Sequence, residues 1–186
     1  RLLGDLEVQE CAAWALGEVG DPRAASPLLH VAETAIRVGT RSQAVDSAGR
    51  LGLAATVAGL LGIAERDSSP FVRRRAVLSL LCCRPLPSAE ALLRLLMKEN
   101  DVTVQGTLVR ALARTGGKRA LRTVRDVMTS GEHWYVRKSA VDALAELPGE
   151  EAALRLAFRD AHPAVRAAAE QVLGEEIRRD TGGLAH

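Results

Sequence analysis

The feature that most constrains this chain is a short segment that recurs six times. Its clearest copy reads Val136-Arg137-Lys138-Ser139-Ala140-Val141-Asp142-Ala143-Leu144. In this frame Val is followed by Arg, by a small or apolar residue four positions after the Val, and by an apolar residue eight positions after it. The copies start at Val8, Thr40, Val72, Val104, Val136 and Val165, with one constant interval four times and a slightly shorter one before the last copy. Apolar residues at this spacing share one face of an α-helix, so each copy is predicted to be a helix.

A second helix is predicted after each copy, because apolar columns there follow the same period. These columns are Leu28, Leu60, Leu92, Val124 and Leu156, and Val31, Ile63, Leu95 and Val127. Gly and Pro recur between the helices, where they favour short turns. One helix pair cannot bury its apolar face alone, but a stack of pairs forms a continuous core. The sequence therefore predicts an all-α protein, a right-handed α-solenoid of about five and a half repeats over residues 1–178, with a flexible tail at 179–186.

Four local features carry further expectations. Asp5 lies three residues before Val8 and is expected to cap the first helix. Gly59 and Gly62 predict either a looser second pair or close helix packing. The first copy has no partner before it, so its apolar residues are expected to be exposed: Val8, Trp14 and Leu16. We expect the chain to be part of a longer protein, since it begins with Arg1 in what reads as a helix.

The segments Val8…Ala12-Ala13-Trp14-Ala15-Leu16-Gly17-Glu18-Val19-Gly20-Asp21-Pro22 and Val136-Arg137…Ala140-Val141…Ala143-Leu144 resemble HEAT repeats, in particular the short bacterial repeats of the phycobilisome-lyase type. The resemblance implies that the Val-Arg helix lines a concave face. It also implies that the repeated Arg and the Asp three residues before the Val form a structural ladder. Only Asp5 and Asp101 keep that Asp, and Gln9 and Gln105 replace the Arg.

Composition and motifs exclude several classes of function. The net charge is +2 and aromatic residues make up 3% of the chain. No apolar run is long enough to span a membrane, and no signal peptide is recognisable. The three cysteines are neither paired nor clustered for zinc, which favours reduced thiols and a cytoplasmic protein. No catalytic or phosphate-binding motif occurs, so we expect no enzyme activity, no metal and no cofactor.

Candidate binding residues are sought in the positions that vary between copies. The repeated arginines are expected to bond the adjoining turns: Arg41, Arg73, Arg137 and Arg166. The varying positions of the middle copies form a predicted concave basic strip: Arg74, Arg75, Arg110, Arg114 and Lys138. Residues 101–140 hold eight Lys or Arg against three acidic residues. Trp134 and Tyr135 could make an aromatic contact with a partner or close the turn between helices.

Two functions fit these observations. The first is a non-catalytic scaffold or regulatory module that binds a partner protein or an acidic peptide on the concave face. The alternative is nucleic-acid binding through the basic strip. The segments Phe71-Val72-Arg73-Arg74-Arg75 and Trp134-Tyr135-Val136-Arg137-Lys138 loosely resemble those of HEAT-like DNA glycosylases, but no catalytic Asp can be assigned. HEAT-like iron hydroxylases carry His-Glu pairs in the repeated helix, whereas this chain has Gln9-Glu10 and no His there.

Overall fold

Antiparallel helix pairs follow one another along the computed structural model, which describes the backbone of residues 2–182 and the side chains of residues 8–174. The first helices of the pairs are α1 (Leu2–Val19), α3 (Val38–Leu51), α5 (Pro70–Leu80), α7 (Val102–Thr115), α9 (Trp134–Ala145) and α11 (Pro163–Gly182). The second helices are α2 (Ala25–Thr34), α4 (Ala54–Arg66), α6 (Ala89–Lys98), α8 (Lys118–Ser130) and α10 (Glu151–Leu154), which a 3₁₀ turn at Arg155–Arg159 extends. The described residues thus form an all-α solenoid of five pairs and a final first helix, as predicted.

Helix ends follow from side chains that satisfy the free backbone groups of the terminal turns. Asp101 caps α7, because its carboxylate accepts hydrogen bonds from the amides of Thr103 and Val104 at 2.9 and 3.1 Å. Ser88 caps α6 in the same way. Gly52 ends α3 with a φ of 65°, a left-handed conformation in which glycine meets no steric penalty.

The core consists of apolar columns from both helices of each pair. The central first helices, α3, α5, α7 and α9, bury the residues four, five and eight positions after the start of each copy, such as Ala140, Val141 and Leu144 of α9. The predicted second-helix column is buried at Leu28, Leu60, Leu92 and Val124. Its last member is not: Leu156 is 57% exposed, and Leu154 and Ala157 are buried in its place. The fifth pair is shorter than the others and its second helix changes to 3₁₀ geometry, so the regular register no longer holds there.

The two ends of the stack correct or complete other expectations. Asp5 lies inside α1 and not at its N-cap, because α1 begins at Leu2. Val8, Trp14 and Leu16 are 65%, 53% and 37% exposed, as expected for a first helix with no described neighbour on that side. Residues 179–182 of the predicted tail continue α11, and 183–186 lie outside the described residues.

Gly59 permits close packing between α2 and α4. A Cβ atom at this position would lie 2.7 Å from the methyl groups of Leu29. The glycine that weakens the helix propensity of α4 thus lets the neighbouring second helix approach, which is one of the two predicted outcomes.

The repeated arginines bond the turn that precedes their own helix. In each described case the Nη1 group donates to the two backbone carbonyls five and six positions earlier. Arg73 contacts the carbonyls of Asp67 and Ser68 at 2.9 and 3.4 Å. The same pattern holds for Arg41, Arg137 and Arg166. These bonds satisfy carbonyl groups that the helix ends leave without partners.

Three of these arginines also pair with a carboxylate at the end of the second helix of their own repeat. Each pair is bidentate: Arg41 with Asp67 at 2.8 and 3.0 Å, Arg73 with Glu99 at 2.8 and 2.8 Å, and Arg137 with Asp160 at 2.7 and 2.9 Å. The side chains are 16% exposed or less. We call each such arginine, its two carbonyls and its carboxylate a rung. Asp67 belongs to two rungs, since its carboxylate binds Arg41 and its carbonyl binds Arg73.

The partners of the repeated Arg therefore differ from those that the resemblance implied. The acid does not lie three positions before the Val: Asp101 caps its own helix, and the side chain of Asp5 lies outside the described side chains. The carboxylate lies 23 to 26 residues after the arginine instead. Its position closes each repeat on itself and leaves its backbone carbonyl for the next repeat.

Arginine and acid are lost together where a rung is absent. The first repeat has Gln9 where the arginine would be and Ala35 where the acid would be. The fourth repeat likewise has Gln105 and Gly131. Gln105 keeps one part of the pattern, because its Nε2 group donates to the Glu99 carbonyl at 2.7 Å. This joint loss avoids a charge buried without a partner, which would be costly.

We predict that breaking one rung destabilises the protein more than breaking a surface pair. Asp160→Asn keeps the side-chain shape but leaves the Arg137 guanidinium without its anion, so the free energy of unfolding should fall by about 3 kcal/mol. The double variant Arg137→Gln/Asp160→Asn should recover part of that loss. Urea denaturation of the wild type, the two single variants and the double variant gives the coupling.

The control pair is Arg119–Glu90, whose side chains are 73% and 55% exposed. Its coupling should stay below about 1 kcal/mol, because solvent screens exposed ion pairs. Equal coupling for the two pairs would contradict the structural role of the rung.

We also predict that the rungs make the protein sensitive to acid. Burial alone would raise the pKa of Glu99, but hydrogen bonds from Arg73 and from the amides of Asp101 and Asn100 outweigh it and lower that pKa. The Arg137 hydrogen bonds lower the pKa of Asp160. A carboxyl whose pKa is lower in the folded state contributes stability that is complete above its unfolded pKa of about 4 and is lost as the pH falls through the folded value.

The free energy of unfolding should therefore fall more steeply in the wild type than in Glu99→Gln/Asp160→Asn as the pH is lowered from about 5 to about 3. Urea denaturation at a series of pH values measures both slopes. Parallel curves would show that these two carboxyls do not carry the acid sensitivity.

Candidate functional site

The face formed by the first helices is the inner side of the stack. Successive first helices pack closely along their lengths, whereas successive second helices contact each other less, even where Gly59 brings α4 against α2. The layer with the closer spacing must be the shorter and hence the concave one. Small residues allow this approach: a Cβ atom on Gly17 would lie 2.6 Å from the Ser47 Cβ, and one on Gly49 would lie 2.5 Å from the Ser79 Cβ.

Ion pairs join neighbouring first helices across much of this face. Glu18 of α1 lies 3.6 Å from Arg50 of α3, and Asp46 of α3 pairs with Arg75 of α5. Burial raises the pKa of Asp46, although Arg75 opposes the shift. Arg75 also lies over the ring of Phe71, 5.8 Å from its centre. Much of the charge on this face is therefore neutralised between repeats.

The predicted basic strip is consequently not one continuous cationic surface. Asp142 accepts from Arg110 at 3.2 Å and from Lys138 at 3.0 Å. Arg75 is paired as well. Arg74 and Arg114 are exposed and have no acidic group within 4 Å among the described side chains. These two arginines are the part of the predicted strip that keeps its positive charge available.

An apolar slot opens where the ion pairs are interrupted, between α5, α7 and α9. Its volume is about 170 Å³. Its residues are Leu78, Leu81, Arg110, Ala113, Arg114, Ala143, Glu146 and Leu147. The aliphatic side chains form its walls, and the two arginines and the glutamate bring charge to it. We call this feature the concave slot.

Two substitutions within the repeat pattern create the concave slot. Leu81 occupies the position that is Gly17 and Gly49 in the first two repeats, and α5 packs less closely on α7 than on α3. Leu78 is 38% exposed at a position that carries Asp46 and Asp142 in other repeats. Sequence reasoning considered only the charged members of these columns and missed Leu78. The sequence did contain a signal, because Leu78 stands in a column that carries aspartate in other repeats and the nearby Leu81 replaces a glycine.

The aromatic pair is used mainly within the protein. Trp134 packs against the core and stacks on His162 of the next turn, with ring centres 4.4 Å apart and an interplanar angle of 6°. Its edge contact with Tyr135 has a centre distance of 5.9 Å. This geometry favours the interpretation that the pair closes the turn between repeats five and six over that of a partner contact.

Other site types find no support among the residues that the structure describes. Those residues contain no group of three or more His, Cys, Asp or Glu side chains that could hold a metal ion. His133 and His162 each accept a backbone amide through Nδ1. Burial raises the pKa of the Cys83 thiol, which disfavours a reactive thiolate. None of the described helices is long and apolar enough to cross a membrane.

Comparisons with known proteins agree with the repeated helix pairs seen in the fold. A family model described as HEAT repeats matches residues 4–81 and 89–174. A structure of human deoxyhypusine hydroxylase in complex with glycerol aligns with 93% of this chain and 80% of that chain, with a TM-score of 0.49 and 18% sequence identity. This similarity is too low to transfer an activity. No curated protein matches the chain significantly.

The unmatched residues 82–88 form the connection between α5 and α6, so the family model covers both halves of the solenoid. A specific relation to the phycobilisome-lyase type stays a prediction. With the repeat geometry and the family match taken together, the chain belongs to the HEAT-repeat family.

Proposed function

We propose that this protein is a non-catalytic interaction module whose concave slot binds a segment of a partner protein. HEAT repeats commonly mediate contacts between proteins. The concave slot is the observation that favours this location for such a contact. Its walls can hold one apolar side chain of the partner. Burying such an anchor supplies binding energy, since hydrophobic burial is the main favourable term in protein association.

The charges near the concave slot favour a partner segment that is acidic beside its apolar anchor. Arg114 lines the slot, and Arg74 lies one helical turn before Leu78. Neither has an anionic partner among the described side chains, so an acidic group would meet available positive charge there. Arg110 is less available because Asp142 already holds it. A mixed pattern of this kind gives specificity, because the apolar anchor and the carboxylate must both be placed correctly.

The pairing pattern supports protein binding over nucleic-acid binding. A nucleic acid is bound by a row of cations that track its phosphates. Here Asp46 and Asp142 interrupt that row by pairing with Arg75, Arg110 and Lys138. A backbone phosphate beside either aspartate would be repelled, whereas a peptide can present a neutral or cationic residue at those points.

An enzymatic role receives no specific support from the residues. The first repeated helix has Gln9-Glu10 where HEAT-like hydroxylases have His-Glu, and the described histidines lie in different repeats. We therefore propose a binding function without catalysis. Because the three cysteines are free in the structure, we also propose a cytoplasmic protein with reduced thiols.

The proposed function predicts the outcome of a peptide selection. A library of displayed peptides should yield binders with an apolar residue next to Asp or Glu. Leu78→Glu, which places a carboxylate at the mouth of the slot, should weaken these binders at least about tenfold. Arg74→Glu/Arg114→Glu should weaken them by a similar factor through charge repulsion. Isothermal titration calorimetry measures both effects.

The matched control is Arg94→Glu/Arg122→Glu, which reverses two exposed arginines on the second helices, α6 and α8. It changes the net charge by the same amount but leaves the concave slot intact, so the affinity should be unchanged. Equal weakening by the control and by Arg74→Glu/Arg114→Glu would show that net charge alone, and not the position of the arginines, determines the affinity. Peptides that bind Leu78→Glu with unchanged affinity would show that the concave slot is not their binding site.

The same proteins distinguish nucleic-acid binding. Fluorescence anisotropy with labelled duplex and single-stranded DNA should show no binding at low salt. Binding that weakens steeply with added salt and disappears in Arg74→Glu/Arg114→Glu would favour the nucleic-acid alternative, because released counterions drive such binding.

A further inference from the structure

The fourth repeat has a cavity where repeats two, three and five have a rung. Its volume is about 460 Å³. The lining residues are Leu96, Asn100, Val102, Gln105, Val127, Gly131, Glu132, His133 and Val136. We call it the rung-four cavity. It lies at the edge of the solenoid, where the turns of the fourth and fifth repeats meet, and shares no residue with the concave slot.

The complete rungs show what this space accommodates elsewhere in the same molecule. In repeats two, three and five an arginine lies between the turn before its helix and a carboxylate of the turn after it. The fourth repeat places Gln105 and Gly131 at these two positions. Glutamine is shorter and uncharged, and glycine has no side chain. Both ends of the rung are therefore reduced, and the space between them is open.

The hydrogen-bonding groups of the rung-four cavity favour a donor. Gln105 bonds only the first of the two turn carbonyls, that of Glu99. The second, that of Asn100, receives no hydrogen bond from the described residues, whereas the arginines of the complete rungs bond both. The nearby first-turn amides are already used, since Asp101 binds those of α7 and His133 binds that of Tyr135.

The charge around the rung-four cavity favours a cation. Glu132 is an exposed member of the lining, and no cationic group lies within 4 Å of its carboxylate among the described side chains. Leu96 and Val127 lie in the last turns of α6 and α8, whose C-terminal ends carry partial negative charge. The valine and leucine walls suit an aliphatic stem, as long cationic side chains require.

We propose that the rung-four cavity binds an arginine side chain of a partner protein, which completes the missing rung from outside. The guanidinium donates to the Asn100 carbonyl and pairs with Glu132, while its aliphatic part packs on Val102, Val127 and Val136. This contact is separate from the concave slot and gives the protein a second recognition point with the opposite charge preference. A partner carrying both an acidic-apolar segment and an exposed arginine would engage both.

The experiment is an NMR titration of the ¹⁵N-labelled chain with N-acetyl-arginine methylamide. The control probe is N-acetyl-citrulline methylamide, which has the same shape without the charge. Saturable amide shifts are expected at Asn100, Gln105, Gly131 and Glu132 with the arginine probe, and binding about tenfold weaker with citrulline, as for loss of a charge-assisted hydrogen bond. The variant Gln105→Arg supplies the guanidinium from within, where it can bond both turn carbonyls as Arg166 does, and should abolish the saturable shifts.

Three results would overturn the proposal: equal binding of the two probes, saturable shifts that persist in Gln105→Arg, or shifts confined to the concave slot. If that variant does not fold, Glu132→Gln tests the same point, because this exposed residue can change without disturbing the core, and it should weaken the arginine probe severalfold. Arg74→Glu/Arg114→Glu should leave the titration unchanged, so the outcome is independent of the concave slot.

Discussion

The guanidinium of the repeated arginine is bonded on two sides, to the carbonyls of the turn before its helix and to a carboxylate of the turn after its repeat. Because Asp67 gives its carboxylate to Arg41 and its carbonyl to Arg73, and Asp160 does the same for Arg137 and Arg166, these turns are each held by two successive repeats. Apolar stacking supplies most of the stability of a solenoid, but it does not by itself fix how far one repeat rotates against the next. The bidentate bonds are directional and shielded from solvent, so they fix the positions of the turns. The turns in turn set the orientation of the helices that they connect.

The candidate sites are places where this repeated scheme changes. Leu81 replaces a glycine and the spacing between α5 and α7 opens into the concave slot. Gln105 and Gly131 replace an arginine and an acid, and the rung-four cavity opens at the edge. In the first place two helices pack less closely, in the second a guanidinium–carboxylate pair is missing, and each change leaves surface that a partner can cover. A repeat protein can thus acquire sites by local departures from its own pattern while its remaining repeats keep the stack intact.

The sequence was sufficient for the architecture because one period appears in both helices of each pair. It also indicated that the repeated arginines serve the fold. It did not show which acid they bind, since the carboxylate lies a full helix pair further along the chain and differs in type between Asp67 and Glu99. The exposure of Leu156 was missed because a shortened repeat changes the helical register, which a column alignment cannot show.

The site was less predictable than the fold. The positions of Arg74 and Arg114 on the inner face follow from the helical period, but pairing of Arg110 and Lys138 with Asp142 depends on distances between helices. The concave slot likewise depends on how closely α5 approaches α7. The most direct test is a crystal structure of the protein with a selected acidic-apolar peptide. The apolar side chain of the peptide should lie against Leu78 and Leu81; a peptide bound on the second-helix surface would contradict the proposed site.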